Sequence, residues 1–240
     1  MEPCVVVSCH VERPLDDACW ARFSDLQQRR PGGLTIAALM RPPDEAAGED
    51  AALWLARARE AATRGPLGHH THFVGPGHAR PPAPGPEHAE RVRSEAAWLR
   101  EHDLEPRLFC GGGWYLDESV AEALAELGYA DCTATAFRPA YLLAGAPRLE
   151  AKEPTRLRLE GGARLLELPT THSLGMAART ALRALPPYVH VYFHDTDLLS
   201  PGRRRALSLA LSVLGRRRRP AELDRLTASV ERDFSEVSRP

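Results

Sequence analysis

Five side chains in this 240-residue sequence have the types and spacings that metal chemistry needs: His10, Glu12, His70, His72 and His194. His70 and His72 lie in "GPLGHHTHF", where an extended backbone turns residues i and i+2 to one face. Two imidazoles on one face, joined by a carboxylate from elsewhere, make a zinc-type site with a position left for water. Glu12, at the end of "VVVSCHVE", is the best carboxylate candidate. His10 shares a strand face with Glu12, so it is placed to be a second ligand or a general base; a solvated strand end is the plain alternative. His194, in "YFHDTDLL", suits a general acid, because imidazole titrates near neutrality. Asp195 or Asp197 would orient its ring, although both residue types also shape turns.

Other motifs are weaker. "FCGGGWY" puts three glycines after a strand, without a phosphate-loop or dinucleotide pattern. Gly112 would let backbone approach a ligand closely, and Trp114 could stack on a sugar ring or belong to the core. These two and Asp195 are the substrate-side candidates. Thr171 and His172 in "LPTTHS" also follow a strand, as a weaker signal. His78, His88, His102 and His190 read as surface or packing residues. No Gly-x-Ser-x-Gly nucleophile motif is present.

The elements that hold these residues alternate between apolar runs and amphipathic stretches. Strands are expected at Cys4 to Cys9, Leu34 to Met40, the histidine segment, Arg107 to Cys110, Tyr129 to Thr135, Arg164 to Leu168 and Tyr188 to His194. Helices are expected at Leu15 to Arg29, Ala51 to Arg64, Glu87 to His102, Asp117 to Leu127, Ser200 to Gly215 and Ala221 to Phe234. Asp117 reads as an N-cap, Gly128 as a C-terminal glycine, and Ser200-Pro201 as a cap followed by proline. Pro76 to Pro86 reads as a loop, either at the surface or at an active site, and Arg138 to Gly162 as irregular. This order predicts a mostly parallel sheet covered by helices, open or closed into a barrel. Chemistry collects at the C-terminal strand ends of such folds. Four clusters stand at those ends and are expected to converge: His10 with Glu12, His69 with His70 and His72, Thr171 with His172, and His194 with Asp195 and Asp197.

Composition narrows the class. The 31 basic and 32 acidic residues nearly cancel, so neither nucleic acid nor a membrane is an expected partner. The arginine runs 203–205 and 216–219 read as solvated helix surface and helix C-terminus. Five scattered cysteines with no CxxC pair suit a reducing cytoplasm. No signal-peptide pattern opens the chain, and no apolar run has membrane-spanning length. One domain over residues 1–240 is expected.

In order, these clusters resemble the polysaccharide deacetylases of the NodB homology type. "VVVSCHVE" resembles the first motif, "GPLGHHTHF" the second, "RLFCGGGWYLDESVAEALAELGYADCT" the third, and "LLELPTTHS" and "VHVYFHDTDLL" the late strands. The resemblance implies an irregular (β/α)7 barrel. It also implies a divalent metal, zinc before manganese, iron or cobalt, and hydrolysis of an N-acetyl group or a related C–N bond on a saccharide. Carried over by position, Glu12 takes the metal acid, His70 the first histidine ligand and His194 the catalytic acid. Three positions depart from the pattern. His10 stands where the base aspartate is expected, Val74 where the second histidine is expected, and Cys110 where an arginine is expected. His72 must therefore serve as the second histidine. Two other readings stay open: a non-catalytic barrel that binds a glycan or a protein, and a metal hydrolase of the amidohydrolase or polymerase-and-histidinol-phosphatase kind, which usually carries H-x-H at its first strand.

Overall fold

The structure is a computed structural model and describes residues 2–74, 80–139, 142 and 148–227. Its elements run β1 (Cys4–Val11), α1 (Asp17–Arg29), β2 (Ile36–Met40), α2 (Ala51–Ala62), β3 (Leu67–Thr71), α3 (Glu87–Glu101), β4 (Leu108–Gly111), α4 (Glu118–Leu127), β5 (Ala130–Asp131), β6 (Thr155–Arg158), β7 (Arg164–Glu167), β8 (His172–Ser173), α5 (Leu174–Thr180), β9 (Tyr188–His194), α6 (Pro201–Arg217) and β10 (Arg219–Pro220). The strands form one sheet in the order β6-β7-β5-β4-β3-β2-β1-β9-β8, with β10 beside β1. Every pairing is parallel except β6 with β7. The result is an irregular α/β barrel, curled and flanked by helices.

Alternation sorts the strand residues into two cores. Val5, Val7, Cys9 and Val11 of β1 face outward and pack with Phe23, Trp54 and Leu211 from α1, α2 and α6. Cys4 and Val6 face inward with Leu39, Cys110, Tyr188 and Tyr192. A third cluster lies under α3 and α4, around Phe109, Val92 and Leu124. Inward positions near the C-terminal strand ends are polar, and register brings them together. His10 lies opposite His194 on β9, and His70 lies opposite Cys110 on β4.

Local signals explain most helix ends. Asp117 accepts a hydrogen bond from the Val120 N–H, and Gly128 closes α4 at φ 75°. Ser200 caps α6 ahead of Pro201. Each such cap is worth about 1 kcal/mol. Four expectations change. Gly215 does not end α6, which continues to Arg217. Its missing side chain instead admits the backbone of Gly32, whose oxygen would lie 2.1 Å from a Cβ. The stretch expected to be irregular contains β6. The strand expected over Tyr129 to Thr135 is ladder-paired at Ala130–Asp131 alone, with an isolated bridge at Thr135. α5 was not foreseen. The final helix, expected from Ala221, starts at 223 and is present over 223–227; its expected part from 228 to 234 lies outside the described residues, as does His78. No described helix is long and apolar enough to cross a membrane.

Candidate metal centre

The centre is assembled at the C-terminal ends of β1, β3 and β9. Glu12 follows β1 directly, and its two oxygens face different partners. Oε2 lies 2.9 Å from His72 Nε2, and Oε1 lies 3.4 Å from His70 Nε2. The two imidazole nitrogens are themselves 3.0 Å apart. His70 and His72 are buried, and the Glu12 side chain is 17% exposed.

The protons decide what this cluster wants. His70 Nδ1 lies 2.7 Å from the Cys110 carbonyl, which can only accept, so the ring proton is on Nδ1. His70 Nε2 therefore presents a lone pair, the state that metal ligation requires. It points at Glu12 Oε1, another acceptor, which is buried without a hydrogen bond. His72 Nε2 can carry one proton, yet it faces both Glu12 Oε2 and the His70 lone pair. Four ligand atoms, two carboxylate oxygens and two imidazole nitrogens, thus converge with at most one proton among them. Tetrahedral zinc bonds of ~2.0–2.1 Å separate neighbouring ligand atoms by roughly 3.3–3.4 Å. The observed separations of 2.9, 3.0 and 3.4 Å need little expansion to accept such a cation, and the donor set suits one.

His10 sits beside this group. It is 4% exposed, and its Nε2 has no hydrogen-bond partner. Its ring lies 4.7 Å from His70, 5.2 Å from Tyr192, 5.3 Å from His194 and 5.6 Å from Trp114, centroid to centroid. Burial, then the neighbouring His70 and His194 rings, push its pKa well below the ordinary histidine value, so it is neutral at neutral pH. His194 goes the other way. Burial alone would lower its pKa, but Asp197, Glu12 and Asp195 outweigh this and raise it. The Glu12 carboxyl is opposed by burial but held well below the usual range by His70 and His72.

The two aspartates after β9 divide the work. Asp195 is fully buried, and its oxygens accept the N–H groups of Glu12 and Arg13 at 3.2 and 2.9 Å, and that of Thr196 at 2.8 Å. It fixes the backbone that carries Glu12. Asp197 lies 3.8 Å from His194 Nδ1, accepts the His194 backbone N–H at 3.0 Å and pairs with Arg203 at 2.6 Å. Gly112 packs against His72: a Cβ there would lie 2.8 Å from both His72 Cδ2 and the Thr71 oxygen. Trp114 is a buried wall beside His10 and Tyr192, with its indole N–H lacking a partner.

Three of the four histidine clusters singled out at strand ends therefore converge. The fourth does not: His172 belongs to no ligand group among the described residues and lies against Thr171 Oγ1. His69 turns outward to Glu95 and Thr71, tying β3 to α3, and Val74 is half exposed. Sequence reasoning missed Tyr192, the Cys110 carbonyl and the buried Ser8–His190 hydrogen bond of 2.9 Å. Tyr192 and Ser8 each stand two residues before a centre histidine, so strand alternation from His194 and His10 would have found them.

No protein-family model matches the chain, and no curated protein does. Solved structures do. A 4-alpha-glucanotransferase from Thermococcus litoralis matches 94% of this chain at TM-score 0.58 and 12% identity. A carbohydrate esterase family 4 pseudoenzyme from Bacillus anthracis matches 90% at 0.54 and 8%. A family 4 carbohydrate esterase from Streptomyces lividans, solved with acetate, matches 89% at 0.50 and 10%. The chain spans 38%, 62% and 86% of those three proteins. At such identities the likeness concerns the fold alone: this chain has an irregular α/β barrel similar to the barrels of the glucanotransferase and of the two family 4 proteins.

Proposed function

We propose that the chain is a metal-dependent hydrolase that removes an acetyl group from an N-acetylated sugar or cleaves a related C–N bond. The observation that carries this reading is the convergence of four ligand atoms of Glu12, His70 and His72 with at most one proton among them. Those three residues would hold a divalent cation, zinc before manganese, iron or cobalt. Such a cation supplies Lewis acidity and a nucleophilic water near neutral pH. The Cys110 carbonyl keeps His70 in the ligating tautomer, and Asp195 holds Glu12 in place. His10, neutral and unpartnered, takes a proton from the attacking water. Water oxygen bonds to the amide carbon, the C–N bond breaks, and His194 gives its proton to the departing amine. The opposed pKa shifts of the two histidines support that division of roles. Gly112 keeps His72 in position, and Trp114 lines the acyl side of the site rather than stacking in the open. The fold likeness to a carbohydrate esterase solved with acetate supports a saccharide substrate, though fold alone assigns no chemistry. Five unpaired, buried thiols suit a reducing compartment.

A second reading is a barrel that binds a glycan or protein without turnover. His10 and Cys110, in place of an expected aspartate and arginine, favour it. One experiment separates the two. The protein is purified without a histidine tag, its bound metals are measured, and acetate release from N-acetylglucosamine oligomers is followed. About one zinc per chain with acetate release supports the hydrolase. No metal after reconstitution overturns it, and metal without release from any N-acetylated sugar favours the binding barrel.

A further inference from the structure

The centre contains more ligand atoms than one cation can use. Glu12, His70 and His72 form one compact set; His10, Glu12 and His194 form another, its ligand atoms within 4.8 Å of one another. The two sets share only the Glu12 carboxylate. Two observations mark the second set. His10 Nε2 is buried with no partner, and no ion pair joins it to Glu12 among the described residues. Glu12 Oε1 is also buried without a hydrogen bond, although it lies 3.8 Å from His194 Nε2. A buried imidazole nitrogen and a buried carboxylate oxygen in one ligand group, neither with a hydrogen bond, cost desolvation on both sides. A cation between them would offset both.

We propose that His10, His194 and Glu12 form a second divalent-cation site, with Glu12 bridging it to the first. Two imidazoles and a carboxylate oxygen suit the same borderline cations, zinc and cobalt among them. The second site is the exchangeable one. The His194 side chain is 33% exposed, whereas His70 and His72 are 1% and 2% exposed. Asp197 and Asp195, behind His194, supply negative charge that the bridging carboxylate alone would not. Occupation has a consequence for the proposed hydrolysis, on whose roles for His10 and His194 this consequence rests. The second cation takes the lone pairs of the base and the acid, so cation beyond one equivalent inhibits.

The test is a Co2+ titration of the tag-free, metal-stripped protein, read by bound cobalt per chain after dialysis and by visible absorption. Two cobalt ions per chain are expected, in a tight and a weaker phase. His10→Ala and His194→Gln should each keep the tight ion and lose the weaker one. His194 is partly exposed, so its variant tests the site even if His10→Ala fails to fold. One cobalt per wild-type chain at saturation overturns the second site and leaves the proposed hydrolase standing. No cobalt overturns both. Two ions retained in His194→Gln also overturn the proposal.

Discussion

Gly112→Ala tests whether backbone packing, rather than a ligand side chain, sets the geometry of the centre. The residue has an ordinary backbone conformation, unlike its neighbour Gly113 at φ 68°, so alanine brings no torsional strain. What it brings is a methyl group 2.8 Å from His72 Cδ2 and 2.8 Å from the Thr71 oxygen, where ordinary contact begins at 3.4 Å. The Thr71 oxygen belongs to a paired strand and resists movement. The backbone at position 112 must therefore shift away from that oxygen, and the His72 ring, the softer neighbour, must retreat by about 0.5 Å, the tolerance of a preorganised site. Disturbing the groups that orient a ligand lowers metal affinity about 10- to 100-fold, or roughly 1.4–2.8 kcal/mol. The assay is competition for Co2+ against a chromophoric chelator, with near-ultraviolet circular dichroism confirming the fold. The expected result is a native spectrum with weakened binding. Wild-type affinity in a folded Gly112→Ala protein would refute the placement of His72 as a ligand pressed against this glycine.

Glu12→Gln keeps the shape of the side chain but removes the charge that both histidines face, and isothermal titration should show zinc affinity falling by at least tenfold. His194→Gln should leave the tight cation bound while turnover drops about 10²- to 10⁴-fold; unchanged acetate release would remove His194 from the chemistry. The fourth prediction concerns Asp131 and Glu167, which face each other across β5 and β7, fully buried. Burial raises Asp131 to about 6, and burial with the Asp131 charge pushes Glu167 well above the usual carboxylate value. Both folded pKa values exceed the unfolded ones. Their stabilising contribution is thus full below about pH 4 and declines as pH rises through the folded values. Melting temperature should fall between pH 5 and pH 8 in the wild type and fall less in Glu167→Gln, which stays neutral. Parallel melting curves for the two proteins would show that the pair does not titrate this way.

Sequence showed which residues meet because the strands are parallel. Polar clusters at the same end of successive parallel strands converge wherever the register is even, and His10, His70 and His194 did so. What was hidden depended on long-range partners. Nothing local tells Asp195 from Asp197, yet one serves the backbone of Glu12, 183 residues away, and the other faces the His194 ring. β6 was missed because its residues are exposed or half-buried, so it lacks an apolar alternation and is defined by its pairing with β7. Gly215 was read as a stop because glycine ends helices and also admits close backbone contact, and sequence alone does not separate the two. α5 is seven residues long, too short to display a helical period, and it is started by the Ser173 cap.

His10 can be understood from the charges around it. A carboxylate at that position would be buried on the same strand face as Glu12, two residues away. Burial and the like charge would both raise its pKa, so it would depend on a bound cation to stay ionised. A histidine inverts this dependence. Burial and the neighbouring imidazoles favour its neutral form, which already carries the lone pair a base needs. The rings of Tyr192, Trp114 and His70 hold it in place without a hydrogen bond. The same properties that give a base without a metal also give a ligand that a second metal can capture. In the proposed hydrolysis an aspartate would be a base secured by the cation, whereas this histidine would be a base that competes with one.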